Sequence, residues 1–244
     1  MHGTDDTTAL PHLDETVLAT TRYLGALTVL DDESLAQPSV LPGWTRAHVI
    51  AHLSRNADAF TQVFTQAAAG GPAYMYTSNE DRETDIERTV ERGFAALRED
   101  AHASSARFIE AAWAFDPGLR DAPYTRTPSD SDTFPVKTVG GRRRTEVEIH
   151  HSDLDVGYSP ADWPYDFSLA MVKRRQDEMA ALPQGCPSMV LSSTDVEGLW
   201  KFGEGPGPEI HGAAGDLAWW LVGRGGGRGL TSSTGELPTL GKWR

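Results

Sequence analysis

The sequence predicts an α+β protein in which an N-terminal four-helix bundle precedes a smaller C-terminal mixed α/β domain. Three observations point there. Long segments in the first half repeat apolar residues at intervals of three and four, the spacing of helices with one buried stripe. A connection at 117–135, rich in Pro, Asp, Ser and Thr, is long enough to cross over a bundle. Beyond about residue 160, Gly, Pro and short β-like runs replace the helical pattern. The expected division is 1–160 for the bundle and 161–244 for the second domain.

The first helix is expected over 13–30, with Leu13, Val17, Leu24 and Leu27 on its buried side. Leu41-Pro42-Gly43-Trp44-Thr45 reads as a turn in which Thr45 caps a second helix. Ile50, Leu53, Ala57, Phe60 and Phe64 line that helix until Gly70-Gly71-Pro72 stops it. The third and longest helix is expected as one piece over 84–113, from Ile86, Val90, Phe94 and Leu97. A fourth follows over 138–156. In the second domain, helices are expected at 168–182 and 213–222, and β-like runs at 189–191 and 199–202.

The 244 residues are enough for one large or two small domains. No apolar run approaches the ~20 residues of a spanning helix, so a soluble protein with no membrane partner is expected. Residues 1–8 carry Asp5 and Asp6 where a secretory signal would be basic, which points to the cytoplasm. With 22 basic and 35 acidic residues the net charge is −13, which disfavours nucleic acid as a partner. The basic run 142–144 is too short to reverse that and reads as a solvated helix start. A monomer or weak dimer is expected.

A single cysteine, Cys186, excludes an internal disulfide and a multi-thiolate zinc site, so any metal must use His and carboxylate donors. Cys186 has no nearby His to activate it and reads as a packed residue. The donors appear on two helices, each with a pair four residues apart and therefore on one face: His48 and His52 on the second, Glu146 and His150 on the fourth. Three such donors leave one coordination position open, as in catalytic zinc sites, although nickel, iron or manganese fit the same set. Spacing alone leaves Glu148, His151 and Asp153 as rivals, with Asp153 suited to hold the ring N–H of His150. The segment 223–229 departs from phosphate-loop and dinucleotide patterns. It reads as a loop or an anion cradle, with Arg224 able to clamp a carboxylate. Trp219 and Trp220 read as core.

Three segments together resemble the mycothiol-dependent maleylpyruvate isomerase family, whose N-terminal domain is a DinB-like four-helix bundle. They are Gly43-Trp44-Thr45-Arg46-Ala47-His48-Val49-Ile50-Ala51-His52, then Glu146-Val147-Glu148-Ile149-His150, then Gly223-Arg224-Gly225 followed by Thr231-Ser232-Ser233-Thr234-Gly235-Glu236. The resemblance implies a divalent metal, zinc above all, on His52, Glu146 and His150, and mycothiol as the thiol cofactor. It makes Arg224 a catalytic and cofactor-binding residue that helps hold an anionic small-molecule substrate, and leaves His48 a packing or supporting role. The implied reaction is cis–trans isomerisation of maleylpyruvate to fumarylpyruvate by addition and elimination of a metal-bound thiolate. Glu148 and His151, and the Gly-rich stretch before Thr231, depart from the family pattern and bear on substrate identity. The alternatives are a mycothiol S-transferase or thiol-exchange enzyme acting on another electrophile, such as a secondary metabolite or xenobiotic, and a non-catalytic metal- or thiol-binding sensor.

Overall fold

A computed structural model describes residues 10–182 and 185–241; the acidic stretch 1–8 lies outside them. It is an α+β chain of two compact units, Met1–Val156 and Gly157–Arg244. In the first unit, α1 (Leu13–Leu27) buries Leu13, Ala19, Tyr23 and Leu27. It ends earlier than the sequence pattern suggests, because a second short helix, α2 (Asp32–Ala36), starts where Asp31 accepts a hydrogen bond from the Ser34 N–H at 2.8 Å. Five residues are too few to show a period, which is why the sequence hides it.

The 23-residue α3 (Arg46–Ala68) runs through the centre and packs against three later helices. The expected single third helix is two, α4 (Asn79–Glu91) and α5 (Phe94–Trp113). Gly93 separates them at φ +89°, a conformation that side-chain-bearing residues rarely adopt. Both α4 and α5 pack on α3. A 3₁₀ turn at Val136–Thr138 leads into α6 (Val139–Asp153). Helices α1, α3, α5 and α6 form the bundle. Its core has two clusters, one around Phe60, Phe64, Phe108 and Tyr124, the other around Ile50, Leu53, Leu97, Val147 and Leu154.

Helix α6 has no apolar stripe in the ordinary sense: eleven of its residues are buried, Arg143, Arg144, Glu148, His151 and Asp153 among them. Buried charges are retained only with partners. Arg22 Nη2 donates to Glu148 Oε1 at 2.6 Å, and Arg143 Nη1 donates to Leu53 O and Asn56 Oδ1 at 2.9 and 2.7 Å. The reading of 142–144 as a solvated helix start is therefore corrected for Arg143 and Arg144. Both face inward because the other elements of the unit pack around α6. A Cβ on Gly140 would lie 2.3 Å from Pro11 O, so only glycine permits this approach of α6 to the start of α1.

Three short strands wall the bundle: β1 (Ala73–Tyr74), β2 (Pro123–Thr125) and β3 (Phe134–Pro135). β1 pairs in parallel with β2, and β2 in antiparallel with β3. The Tyr74-Met75-Tyr76 loop and the long 117–135 connection thus pair with each other. Beyond the strands, Met75 N donates to Thr125 O and Tyr76 N to Arg126 O.

In the second unit, β4 (Met189–Ser193) lies between β5 (Leu199–Phe202), antiparallel, and β6 (Glu209–Gly212), parallel; β7 (Thr231–Ser232) extends the sheet beyond β6. Helices α7 (Tyr165–Ala180) and α8 (Ala214–Leu221) pack on each other, and each packs on strands of the sheet. No helix among the described residues is long and apolar enough to cross a membrane.

Candidate metal centre

Helix α3 is registered by its first turn. The Thr45 N–H and hydroxyl both donate to His48 Nδ1, at 3.2 and 2.7 Å, and His48 Nε2 donates to Glu87 Oε2 at 3.3 Å. His48 is therefore committed to capping, in a capping box with Thr45, the N-cap expected from the sequence. One turn later, His52 is buried and meets α6.

There, His52 Nε2 lies 3.0 Å from Glu146 Oε2, and His150 Nε2 lies 3.5 Å from the same oxygen. One donor atom from each of the three residues lies within 4.8 Å of the others. Ligand bonds of about 2.0–2.2 Å around a tetrahedral zinc require donor atoms roughly 3.3–3.5 Å apart. Two imidazoles and a carboxylate at this spacing fit a divalent cation. The His52 side chain is 5% exposed, His150 12% and Glu146 32%, so the cluster is closed at His52 and open at Glu146.

Neighbours set the ring orientations. Arg82 Nη2, from α4, lies 2.9 Å from His52 Nδ1. A guanidinium only donates, so Nδ1 accepts and Nε2 carries the proton toward Glu146. His150 Nδ1 donates to the buried Asp153 Oδ2 at 2.8 Å, which directs Nε2 at Glu146. Burial, reinforced by His150, lowers the His52 pKa to about 4. Burial alone would lower that of His150 too, but hydrogen bonds to Asp153 and Glu146 outweigh it and raise the value. Burial opposes ionisation of Glu146, yet hydrogen bonds from His150 and His52 hold its carboxyl well below the usual range. At neutral pH, Glu146 is ionised and His52 neutral; a metal at His52 Nε2 would take the place of the proton shared with Glu146, and the ring would then carry its proton on Nδ1 and release Arg82.

Of the sequence-level candidates, His52, Glu146 and His150 come together. Glu148 is turned away to Arg22, and His151 lies edge-on to Tyr23 with ring centroids 6.0 Å apart. Arg224 belongs to the second unit, where Nη1 donates to Val222 O at 2.9 Å and the guanidinium lies 5.9 Å from the Trp219 ring centroid. The glycines around it close a 3₁₀ turn at Gly225–Gly227 with positive φ at each of the three. Trp220 is buried as expected, whereas Trp219 is half-buried and meets Trp163 edge-on at 5.6 Å. Cys186 is half-buried.

Sequence reasoning missed Arg82, Trp44 and Tyr76. The Trp44 ring lies 5.7 Å from that of His52 and lines a depression of about 300 Å³ with Glu83, Ile86 and Glu87. Tyr76 is buried beside Glu146 and hydrogen-bonded to Asn56. No periodic signal marks Arg82 and Tyr76, which reach the centre through the Gly93 break and the β1–β2 pairing, while Trp44 stands in the turn just before α3.

Known proteins show the same arrangement of chain. A solved structure described as the mycothiol-dependent maleylpyruvate isomerase superposes with a TM-score of 0.87 at 27% identity, covering 95% of this chain and 95% of that one. A second, described as the H52A mutant of the mycothiol-dependent maleylpyruvate isomerase, gives 0.86 at 26% identity with the same coverage. No curated protein matches the sequence. The family described as the mycothiol maleylpyruvate isomerase N-terminal domain matches residues 17–155, which take in all three donors of the centre. With more than half of its length matched, this chain belongs to the mycothiol maleylpyruvate isomerase family.

Proposed function

We propose that this chain is a mycothiol-dependent isomerase that holds a divalent metal, zinc by the nature of its donors, on His52, Glu146 and His150, and converts maleylpyruvate to fumarylpyruvate. The observation that carries this is the convergence of those three donors, open on one side, in a chain that follows solved maleylpyruvate isomerases along 95% of its length. Bound there, a divalent metal and mycothiol would supply a stabilised thiolate, the nucleophile for reversible addition to a conjugated cis double bond.

The chain's own residues prepare the site. Asp153 accepts from His150 Nδ1, so Nε2 is the nitrogen that would offer its lone pair to a metal on the Glu146 side. Trp44 and the buried wall behind His52 restrict water to the Glu146 side. For Arg224 the proposal rests on chemistry: a permanently charged, planar fork suits a carboxylate and the negative charge that develops after addition. A cytoplasmic location belongs to the same reading, since a free thiol cofactor needs a reducing compartment.

The test is an absorbance assay of the zinc-loaded protein with maleylpyruvate, with and without mycothiol. Thiol-dependent formation of fumarylpyruvate is expected. Mycothiol binding without turnover would remove the isomerase reading and favour transfer to another electrophile. Asp153→Asn is expected to lower zinc affinity by about 10–100-fold, as loss of a carboxylate partner behind a metal-bound imidazole does. Competition with a chromogenic chelator measures it, and unchanged affinity would remove Asp153 from the site.

A further inference from the structure

Several arginines of this acidic chain pair with carboxylates, as Arg22 does with Glu148, Arg98 with Asp32 and Arg107 with Asp58. Arg82 and Arg126 do not. Arg82 gives one N–H to the neutral ring of His52, and its Nε is a buried donor with no acceptor. Arg126 gives its Nε to the amide oxygen of Asn79 at 3.2 Å. Both guanidiniums lie against one ring, that of Tyr76, at 5.8 and 5.6 Å from its centroid.

The fold builds this meeting. Pairing of Tyr76 N with Arg126 O sets the two residues side by side, and Asn79, which holds Arg126, stands one helical turn before Arg82 on α4. Tyr76 is fixed from behind by Asn56, itself held by the buried Arg143. An aromatic face attracts a guanidinium without consuming its N–H groups, so the donor edges remain available. Arg82 is half-buried beside the metal centre and Arg126 is exposed, so the pair runs from the centre to the surface.

We infer that Arg82 and Arg126, set on the Tyr76 ring, form a carboxylate-binding subsite beside His52 and Glu146 that selects a small dianionic substrate. Arg82 takes the carboxylate nearer the metal and Arg126 the outer one. Glu146 and Asp153 bring two carboxylates to the cluster, and the two guanidiniums offset their charge within an acidic molecule. The subsite rests on the isomerase reading only for the identity of its natural ligand.

The probe is maleate, with acrylate as its one-carboxylate counterpart, titrated calorimetrically into the zinc-loaded full chain. Maleate is expected to bind wild type more tightly than acrylate. Arg82→Gln should weaken maleate by about tenfold or more, the value of a charge-assisted hydrogen bond, and Arg126→Gln by about fivefold, as suits an exposed cation. Arg126→Lys should recover part of the loss. If Arg82→Gln disturbs zinc content, Arg126→Gln decides, since its side chain touches none of the three donors. Equal maleate affinity in Arg126→Gln and wild type, or no preference for maleate over acrylate, overturns the subsite. The two readings fail separately: arginine-dependent maleate binding without maleylpyruvate turnover removes the isomerase activity and keeps the subsite. Turnover with maleate affinity indifferent to both arginines does the reverse.

Discussion

Alanine at His52, Glu146 or His150 is expected to strip the metal and abolish thiol-dependent turnover, while His48→Ala keeps both. Each of the three contributes one donor to a cluster whose atoms lie within 4.8 Å of one another, so each removal leaves two donors and a solvent-filled gap. The loss in zinc affinity should exceed the roughly 10–100-fold typical of a supporting partner, so purified variants should be nearly metal-free. His48 is bound to Thr45 and Glu87, and its removal costs a helix cap, about 1 kcal/mol, without touching the centre. Metal content by atomic emission, with circular dichroism as the folding control, separates the cases. Equal zinc in all four variants would remove the ligand assignment.

The largest stability effect is expected at Phe108→Ala. Phe108 is 1% exposed on α5 and packs against Phe60 and Phe64 of α3, with ring centroids 6.4 and 6.0 Å apart, and against the Arg143 guanidinium of α6 at 5.8 Å. Truncation removes buried area and leaves a cavity between three bundle helices, at about 3–5 kcal/mol. At roughly 2–4 °C per kcal/mol, the first unit should melt about 6–20 °C lower. The cavity adjoins Arg143, which holds Asn56 and through it Tyr76, so a small loss of maleate affinity should accompany the fall in Tm. A melting change under about 2 °C would show that the helices close the gap and that Phe108 is no keystone of the bundle.

The bundle was legible because its helices α1, α3 and α5 follow simple periodicity and α6 carries paired donors four residues apart. The pairs His48/His52 and Glu146/His150 stood out for the same reason, since side chains one turn apart share a face, and the family resemblance chose His52, Glu146 and His150 from among them. What stayed hidden lacked a period. The five residues of α2 are too few, the break between α4 and α5 rests on a single glycine conformation at Gly93, and the parallel contact of β1 with β2 joins segments about fifty residues apart. Charge run 142–144 misled because charge predicts exposure only where no partner is buried with it, and Arg143 has Asn56 and Leu53 O.

By itself, then, the sequence determined the helices α1, α3 and α6, the two donor pairs and the absence of a multi-thiolate site, all set by local spacing and composition. Only the tertiary structure decided which pair members face each other, because that depends on how α3 and α6 rotate about their axes. Once Gly140 allows α6 to press on the start of α1, and His48 closes the first turn of α3, His52, Glu146 and His150 converge. The same packing brings in Arg82 and Tyr76, residues whose importance lies in contacts between distant segments and so leaves no mark in the local sequence.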